Sequence, residues 1–408
     1  MKEIARRLRC RECGRVRDFE PAYVCEHCFG PLEVAYDLQQ IAGRISHRSI
    51  LDGPPTIWRY RELLPAPTGE PVDLGTGFTP LVRARNLGAH LGLDRLYIKN
   101  DTLNPTGSFK DRNVAVATNF ALSYGFDTLA CSSTGNLAGS VAAYAARAGL
   151  RSLVFIPAGL EPTKVGAAAA YGATVVEVDG AYDDVNRLCV ELADQHGWGI
   201  VNVNLRPFYS EGSKTLTFEV VEQLGWRAPD HIVVPVAAGS LLAKTAKAFH
   251  ELVEVGLIER ASTRIHAAQA EGCSPVSTAI QQRTDTITPV RANSIAKSLA
   301  IGNPADGRYA ARAVQSSGGW GTICREEAVT DAMGLLAETE GILSEPAGGV
   351  VLAGLQQLIA EDRIRREESV VICITGNGLK TTELFSGREG RRVHLGRAKA
   401  SEFDKVMA

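Results

Sequence analysis

Short apolar or β-branched runs alternate with longer alanine-rich stretches through most of this chain, and that alternation constrains the fold more than any other feature. The runs 128–132, 152–156, 174–178 and 231–236 are followed by helical stretches at 137–148, near 163–171, at 183–195 and at 241–252. A late buried run, 369–374, follows a helical stretch at 347–359. Strands that alternate with helices build βαβ units, and those give parallel sheets covered by helices. Gly149, Gly172, Gly197, Gly225 and Gly256 stand where the helical stretches stop, as C-terminal glycines do. The chain has 408 residues, too many for one hydrophobic core, so two or three domains are expected. The fold class is α/β with open parallel sheets.

Three strand-like runs end in small-residue turns. They are Ser132-Ser133-Thr134-Gly135-Asn136, Ala237-Ala238-Gly239-Ser240 before Leu241, and Thr375-Gly376-Asn377-Gly378. Ligands of open α/β sheets bind in the crevice at the carboxyl ends of strands, so these turns are candidates to line one site. The formal net charge is −2, which argues against a nucleic-acid partner because such binders carry a basic footprint. No apolar run reaches the ~18 residues of a membrane span. The basic start MKEIARRLRC has no apolar stretch behind it and does not read as a secretory signal. The cytoplasm is the expected compartment.

Of nine cysteines, four lie in the first 28 residues as two C-x-x-C pairs, Cys10 with Cys13 and Cys25 with Cys28. Two such knuckles in a short unit signal a zinc ribbon, because four thiolates complete a tetrahedron. Gly14 and Gly30 follow the pairs, where knuckle turns often need glycine. Residues 1–37 are too few to fold alone, so a metal would supply the folding energy. With four cysteines as ligands the zinc would be structural, and His27 is read as solvated. A metal-free arm of reduced cysteines is the alternative. Residues 38–71 read as a connector that ends proline-rich.

The most informative segment is Asn104-Pro105-Thr106-Gly107-Ser108-Phe109-Lys110-Asp111-Arg112. Pro105 and Gly107 mark a turn, Ser108 can cap the next helix, and Lys110 falls in its first turn. A cation there is disfavoured by the helix dipole, which lowers the amine pKa and suits a Schiff-base lysine. A solvated surface lysine is the plain alternative.

Around this segment the chain resembles the fold-type II pyridoxal-phosphate enzymes, and among them the threonine synthases. The resemblance runs from Leu74 to about Thr382. It rests on GFTPL (77–81), NPTGSFKDR (104–112), SSTGN (132–136), AYAARAG (143–149), EGSKT (211–215), IAKSLAIGNPADG (295–307), TEGILSEPAGG (339–349) and ITGNGLK (374–380), in that order. It implies a large cofactor-binding domain from 72–113 and 206–386, a small α/β domain from 114–205, and a tail at 387–408. It implies that Lys110 holds pyridoxal phosphate and moves the Cα proton, and that Asn136 bonds the cofactor's ring hydroxyl. Thr375 would face the pyridine nitrogen. The turn Ala237, Ala238, Gly239, Ser240, Leu241 would hold the cofactor phosphate through backbone N–H groups. The N–H groups of Ser133, Thr134, Gly135 and Asn136 would take the substrate carboxylate. A homodimer is also implied.

Two departures bear on the substrate. The turn 237–241 lacks the glycine- and asparagine-rich composition of better-known members. Where those carry an arginine for the substrate phosphate, this chain has Tyr209. The phosphate is therefore expected on Lys214 and Arg206, with Ser213 and Ser133 adding hydrogen bonds, because EGSKT starts a helix whose N-terminus favours an anion. Arg206 pairing with an acid is the alternative. The activity implied is conversion of O-phospho-L-homoserine and water to L-threonine and phosphate. Standing beside it are a relative using O-phosphoserine, such as a cysteate synthase, a serine or threonine dehydratase, and a non-enzymatic binder that uses the basic cluster 6–17.

Overall fold

A computed structural model describes residues 6–67, 69–133, 135–159, 166–180, 182–385, 394–395 and 398–407. Three strands of the N-terminal arm, β1 (Arg6–Cys10), β2 (Val16–Arg17) and β3 (Leu32–Tyr36), form an antiparallel sheet ordered β2-β1-β3. After them come β4 (Leu81–Arg83) and β5 (Arg95–Asn100). The small sheet is built from β6 (Thr128–Ser132), β7 (Arg151–Pro157), β8 (Thr174–Val178) and β9 (Gly199–Ile200), ordered β8-β7-β6-β9 and parallel throughout. The chain then returns to the large sheet with β10 (His231–Pro235), β11 (Arg264–Ala270), β12 (Gly321–Cys324) and β13 (Ser369–Ile374). That sheet is ordered β12-β11-β10-β13-β5-β4, with β4 antiparallel at its edge.

The central strands β10 and β13 are apolar and buried almost end to end, as strands covered on both faces must be. Strand β11 carries His266 and Gln269 inside the same layer. Their burial is tolerated because the polar atoms are paired. Gln269 Oε1 accepts from the N–H groups of Val276 and Ser277, both at 2.9 Å, and His266 Nδ1 accepts from Trp320 N at 3.1 Å.

Residues 38–71, expected to be a connector, are largely ordered into short packed helices. Leu38–Ala42 is capped by Asp37 and His47–Leu51 by Ser46, and a 3-10 segment spans Ile57–Leu63. Ile41, Ile50, Tyr60 and Leu63 enter the same core as Phe218 and Leu252. The arm is docked as well: Leu8 and Val34 pack into a core with Val114 and Phe208.

Candidate active site

Lys110 opens the helix Lys110–Ser123, and the three residues of its Lys-Asp-Arg run point to three different environments. Asp111 is buried and takes hydrogen bonds from Thr106 N at 2.7 Å, Thr106 Oγ1 at 2.7 Å and Ser140 Oγ at 2.6 Å. Arg112 is fully buried; its guanidinium grips Asp101 through two 2.7 Å bonds and also holds both oxygens of Glu219, whose Oε2 lies 2.7 Å from Lys99 as well. Burial pushes the Glu219 carboxyl up, but Arg112 and Lys99 pull harder and hold it at about 2. Phe78 N reaches Glu219 Oε1 at 2.7 Å, and Thr79 Oγ1 reaches Asp101 at 2.7 Å, so the segment 77–81 hangs on the same network. Lys110 is left half-buried at the helix start. Among the described residues its ammonium makes no hydrogen bond or ion pair; its closest ring is Phe109, 5.7 Å away.

The turn before Lys110 is stitched to the turn after β13. Phe109 N donates to Thr375 O at 2.9 Å, and Asn377 N donates to Gly107 O at 3.0 Å. Asn136, first residue of Asn136–Ala148, is joined to the same corner: its Oδ1 accepts from Lys380 Nζ at 2.7 Å. Its Nδ2 donates to both oxygens of Glu345, at 3.0 and 2.9 Å, and Ser298 Oγ also donates to Glu345 at 3.2 Å. Burial raises the Glu345 carboxyl above the ordinary glutamate range, against the pull of Asn136 and of the Lys380 and Lys110 ammonium groups. A Cβ at Gly376 would meet the Glu345 carboxyl carbon at 2.3 Å, so a larger residue there would have to displace that carboxyl. The structure thus brings together Lys110, Asn136 and Thr375. Glu345, Lys380 and Ser298 join them although sequence reasoning had not singled them out. Each lay inside a quoted motif, where a charged or hydroxyl residue beside small and apolar neighbours was the available signal.

The turn 237–241 opens on the same sheet edge, because β10 and β13 are adjacent and parallel. Gly239 sits at φ +92°, a left-handed conformation that suits glycine. A Cβ on it would meet the backbone of Asp306 at 2.8 Å. The helix Ser240–Glu254 starts there with no side-chain cap, and an uncapped helix N-terminus is the kind of end that suits an anion. A half-buried lysine without a hydrogen-bond or ion-pair partner among the described residues and an uncapped helix N-terminus on one sheet edge fit a phosphate-bearing aldehyde such as pyridoxal phosphate.

The expected phosphate site on Lys214 is not where the helix Lys214–Gln223 puts that residue. Lys214 is fully buried, and its ammonium is spent on Leu63 O at 2.8 Å, Glu251 at 2.6 Å and Glu211 at 2.7 Å. Its three donors are used, and no face is open to an anion. Ser213 is also buried, and its Oγ accepts from Asn113 Nδ2 at 2.8 Å. Tyr209 packs into the core beside Phe208. Arg206 is a third exposed and donates to Asp306 Oδ2 at 3.0 Å, the acid-paired alternative. Ser133 remains at the mouth of β6, with its Oγ 3.4 Å from Gly135 N. Thr134 lies outside the described residues.

In the arm the four cysteine Sγ atoms lie within 4.8 Å of one another. Cys10 and Cys28 are 3.4 Å apart, and Cys13 and Cys25 are 3.7 Å apart. Zinc–sulfur bonds of ~2.3 Å put tetrahedral sulfurs ~3.8 Å apart, so the four thiols fit a zinc ion. Gly14 takes φ +73°, but after the second pair Phe29 carries the left-handed turn, at φ 57°. Gly30 is needed for space instead, since a Cβ would stand 3.0 Å from Cys10 Sγ.

Residues 72–376 match the family described as pyridoxal-phosphate dependent enzyme. The chain is 38% identical to the threonine synthase of Methanocaldococcus jannaschii over 376 residues, covering 91% of this chain and 92% of the relative. It is 37% identical to the threonine synthase of Mycobacterium tuberculosis, covering 80% and 89%. Among solved structures it is similar to the diaminopropionate ammonia lyase of Escherichia coli, with a TM-score of 0.64 at 20% identity, over 77% of this chain and 88% of that one. It is also similar to threonine deaminase isoform 2 of Solanum lycopersicum, with a TM-score of 0.62 at 19% identity, over 80% and 86%.

Proposed function

The chain belongs to the pyridoxal-phosphate-dependent enzyme family, and from that premise we propose that it converts O-phospho-L-homoserine and water to L-threonine and phosphate, the reaction of the threonine synthases. The observation that carries this reading is similarity to threonine synthases of archaeal and bacterial origin over most of both chains.

When bound, the cofactor supplies an electron sink that lets a proton leave a carbon bearing an amino group. Lys110 would carry the cofactor and move the proton at Cα; an amine that makes no hydrogen bond or ion pair among the described residues suits both tasks. The uncapped N-terminus of Ser240–Glu254 holds the cofactor phosphate. Thr375, whose carbonyl is tied to Phe109 N, offers a hydroxyl to the pyridine nitrogen. Asn136, oriented by Lys380 and Glu345, would bond the cofactor's ring hydroxyl. The N–H groups of the turn 133–136 receive the substrate carboxylate at the start of Asn136–Ala148. Phosphate leaves Cγ and a water oxygen is added at Cβ.

The proposal extends to one structural zinc held by Cys10, Cys13, Cys25 and Cys28, supported by the sulfur spacing. It extends to a homodimer, as the family resemblance implies, and to the cytoplasm as the compartment. Among the described residues no helix is long and apolar enough to cross a membrane. The decisive assay supplies O-phospho-L-homoserine and O-phospho-L-serine separately and measures phosphate and L-threonine. Threonine and phosphate in equal amounts from the first substrate are expected. Phosphate from the second alone would replace this reading with a phosphoserine-using enzyme.

A further inference from the structure

Arg11 lies between two cysteines of the arm, yet its guanidinium reaches the loop behind the turn 237–241. Its Nη1 donates to Asp306 Oδ1 at 2.9 Å across 295 residues of sequence, and Arg206 Nη2 takes the other carboxylate oxygen at 3.0 Å. Asp306 is itself fastened to the turn. Its N–H donates to Ala238 O at 2.8 Å, and its backbone is what a Cβ on Gly239 would strike. The Arg11 guanidinium also lies 3.4 Å from the Tyr309 ring centroid. Its neighbour Glu12 accepts from Tyr309 OH and stands 3.7 Å from Arg308. Both residues between Cys10 and Cys13 therefore hold the segment 306–309.

Water does little to weaken this contact. The Arg11 side chain is 16% exposed and that of Asp306 is 8% exposed, so the pair is not the solvent-screened kind that contributes nothing. Taking Arg11 away would leave a nearly buried carboxylate half-neutralised, against a turn whose N–H groups are read as receiving a phosphate dianion. The repulsion would fall on the phosphate and not on the pyridine ring.

We propose that Arg11 is a positioning residue for the cofactor phosphate, acting through Asp306 on the turn 237–241, so that the cysteine arm tunes cofactor affinity. This rests on reading that turn as the phosphate site. The test is titration of the full-length apoprotein with pyridoxal phosphate and, separately, with pyridoxal, which lacks the phosphate. In Arg11→Ala the dissociation constant for pyridoxal phosphate should rise ~10-fold, the usual scale for losing a support behind a binding group, while that for pyridoxal stays at the parental value. Arg11→Lys keeps the charge without the flat, stacking fork and should recover part of the loss. Equal weakening toward both ligands would mean a general structural role, and no weakening toward either would mean no coupling; each overturns the proposal. Gly239→Ala, titrated in parallel, tests the turn itself: unchanged binding of pyridoxal phosphate there would remove the phosphate-site reading independently of the Arg11 result.

Discussion

Phe109 hangs from Thr375: its N–H donates to the threonine carbonyl at 2.9 Å, so the residue before Lys110 is fixed to the end of β13. The lysine's place is therefore set by backbone, and its own side chain contributes no hydrogen bond to holding the fold among the described residues.

Lys110→Ala should leave the folded state intact and abolish turnover. Proton transfer alone accounts for ~100-fold or more, and loss of the covalent tether to the cofactor adds to it. Circular dichroism should match the parent while the visible absorbance of the bound cofactor disappears. A variant that kept both colour and activity would contradict the assignment of Lys110.

Lys214→Ala should damage stability, not substrate affinity. It strips one cation from Glu211 and Glu251 in a buried cluster where Lys244 and Lys247 remain, so the loss should fall short of the about 3–5 kcal/mol of a buried charge left wholly unpaired. Urea denaturation should show that drop, while the Michaelis constant of the folded fraction for O-phospho-L-homoserine stays at the parental value. A raised Michaelis constant with unchanged stability would return Lys214 to the substrate site.

Two strands of the large sheet, β10 and β13, were legible as apolar or β-branched runs, and so were β6, β7 and β8 of the small sheet. Strands β5 and β11 were not, because each buries polar residues whose partners come from far along the chain. Lys99, in β5, is accommodated only because Glu219, Gln223 and the Thr79 carbonyl meet it. No local pattern announces such a match. Lys110 stood at a helix start, where a solvated lysine is the plain alternative, and the resemblance around it was what singled it out. Lys214 stood at a helix start too, but whether such an end faces a ligand or the core is decided by tertiary packing. The segment 38–71 misled for a related reason: its helices are a turn or two long, so periodicity had too few residues to register.

Acid should destabilise the protein through Glu219. Its carboxyl sits at about 2, against an ordinary 4.5. A lowered folded-state value means that the unfolded chain takes up the proton first. The stabilisation is thus whole above pH 4.5 and is lost as pH falls toward 2. Unfolding free energies measured from neutral pH downward should decline over that window. Glu219→Gln should lower stability at neutral pH and flatten that part of the profile.

Protein purified without added metal should contain one zinc per chain by elemental analysis, and Cys25→Ser should lose it. Because Glu33 and Tyr36 of the arm are tied to Lys247 and Glu211, that variant should keep part of its activity with an arm that exchanges amide hydrogens faster. Metal-free protein with a fully protected arm would overturn the zinc assignment.

The arm precedes its dock along the chain, and that order has a consequence for biosynthesis. Strands β1 to β3 are finished by Tyr36, but much of the surface they dock on comes from Arg206–Glu211, Ser240–Glu254 and the segment 306–309. At ~5–20 residues per second, the arm waits many seconds outside the ribosome before that surface exists. During that wait Leu8 and Val34 have each other across β1 and β3 but not Phe208 to pack against. Four thiols that can close on an ion without help from the rest of the chain give the nascent arm a way to hold its shape until its dock has been made.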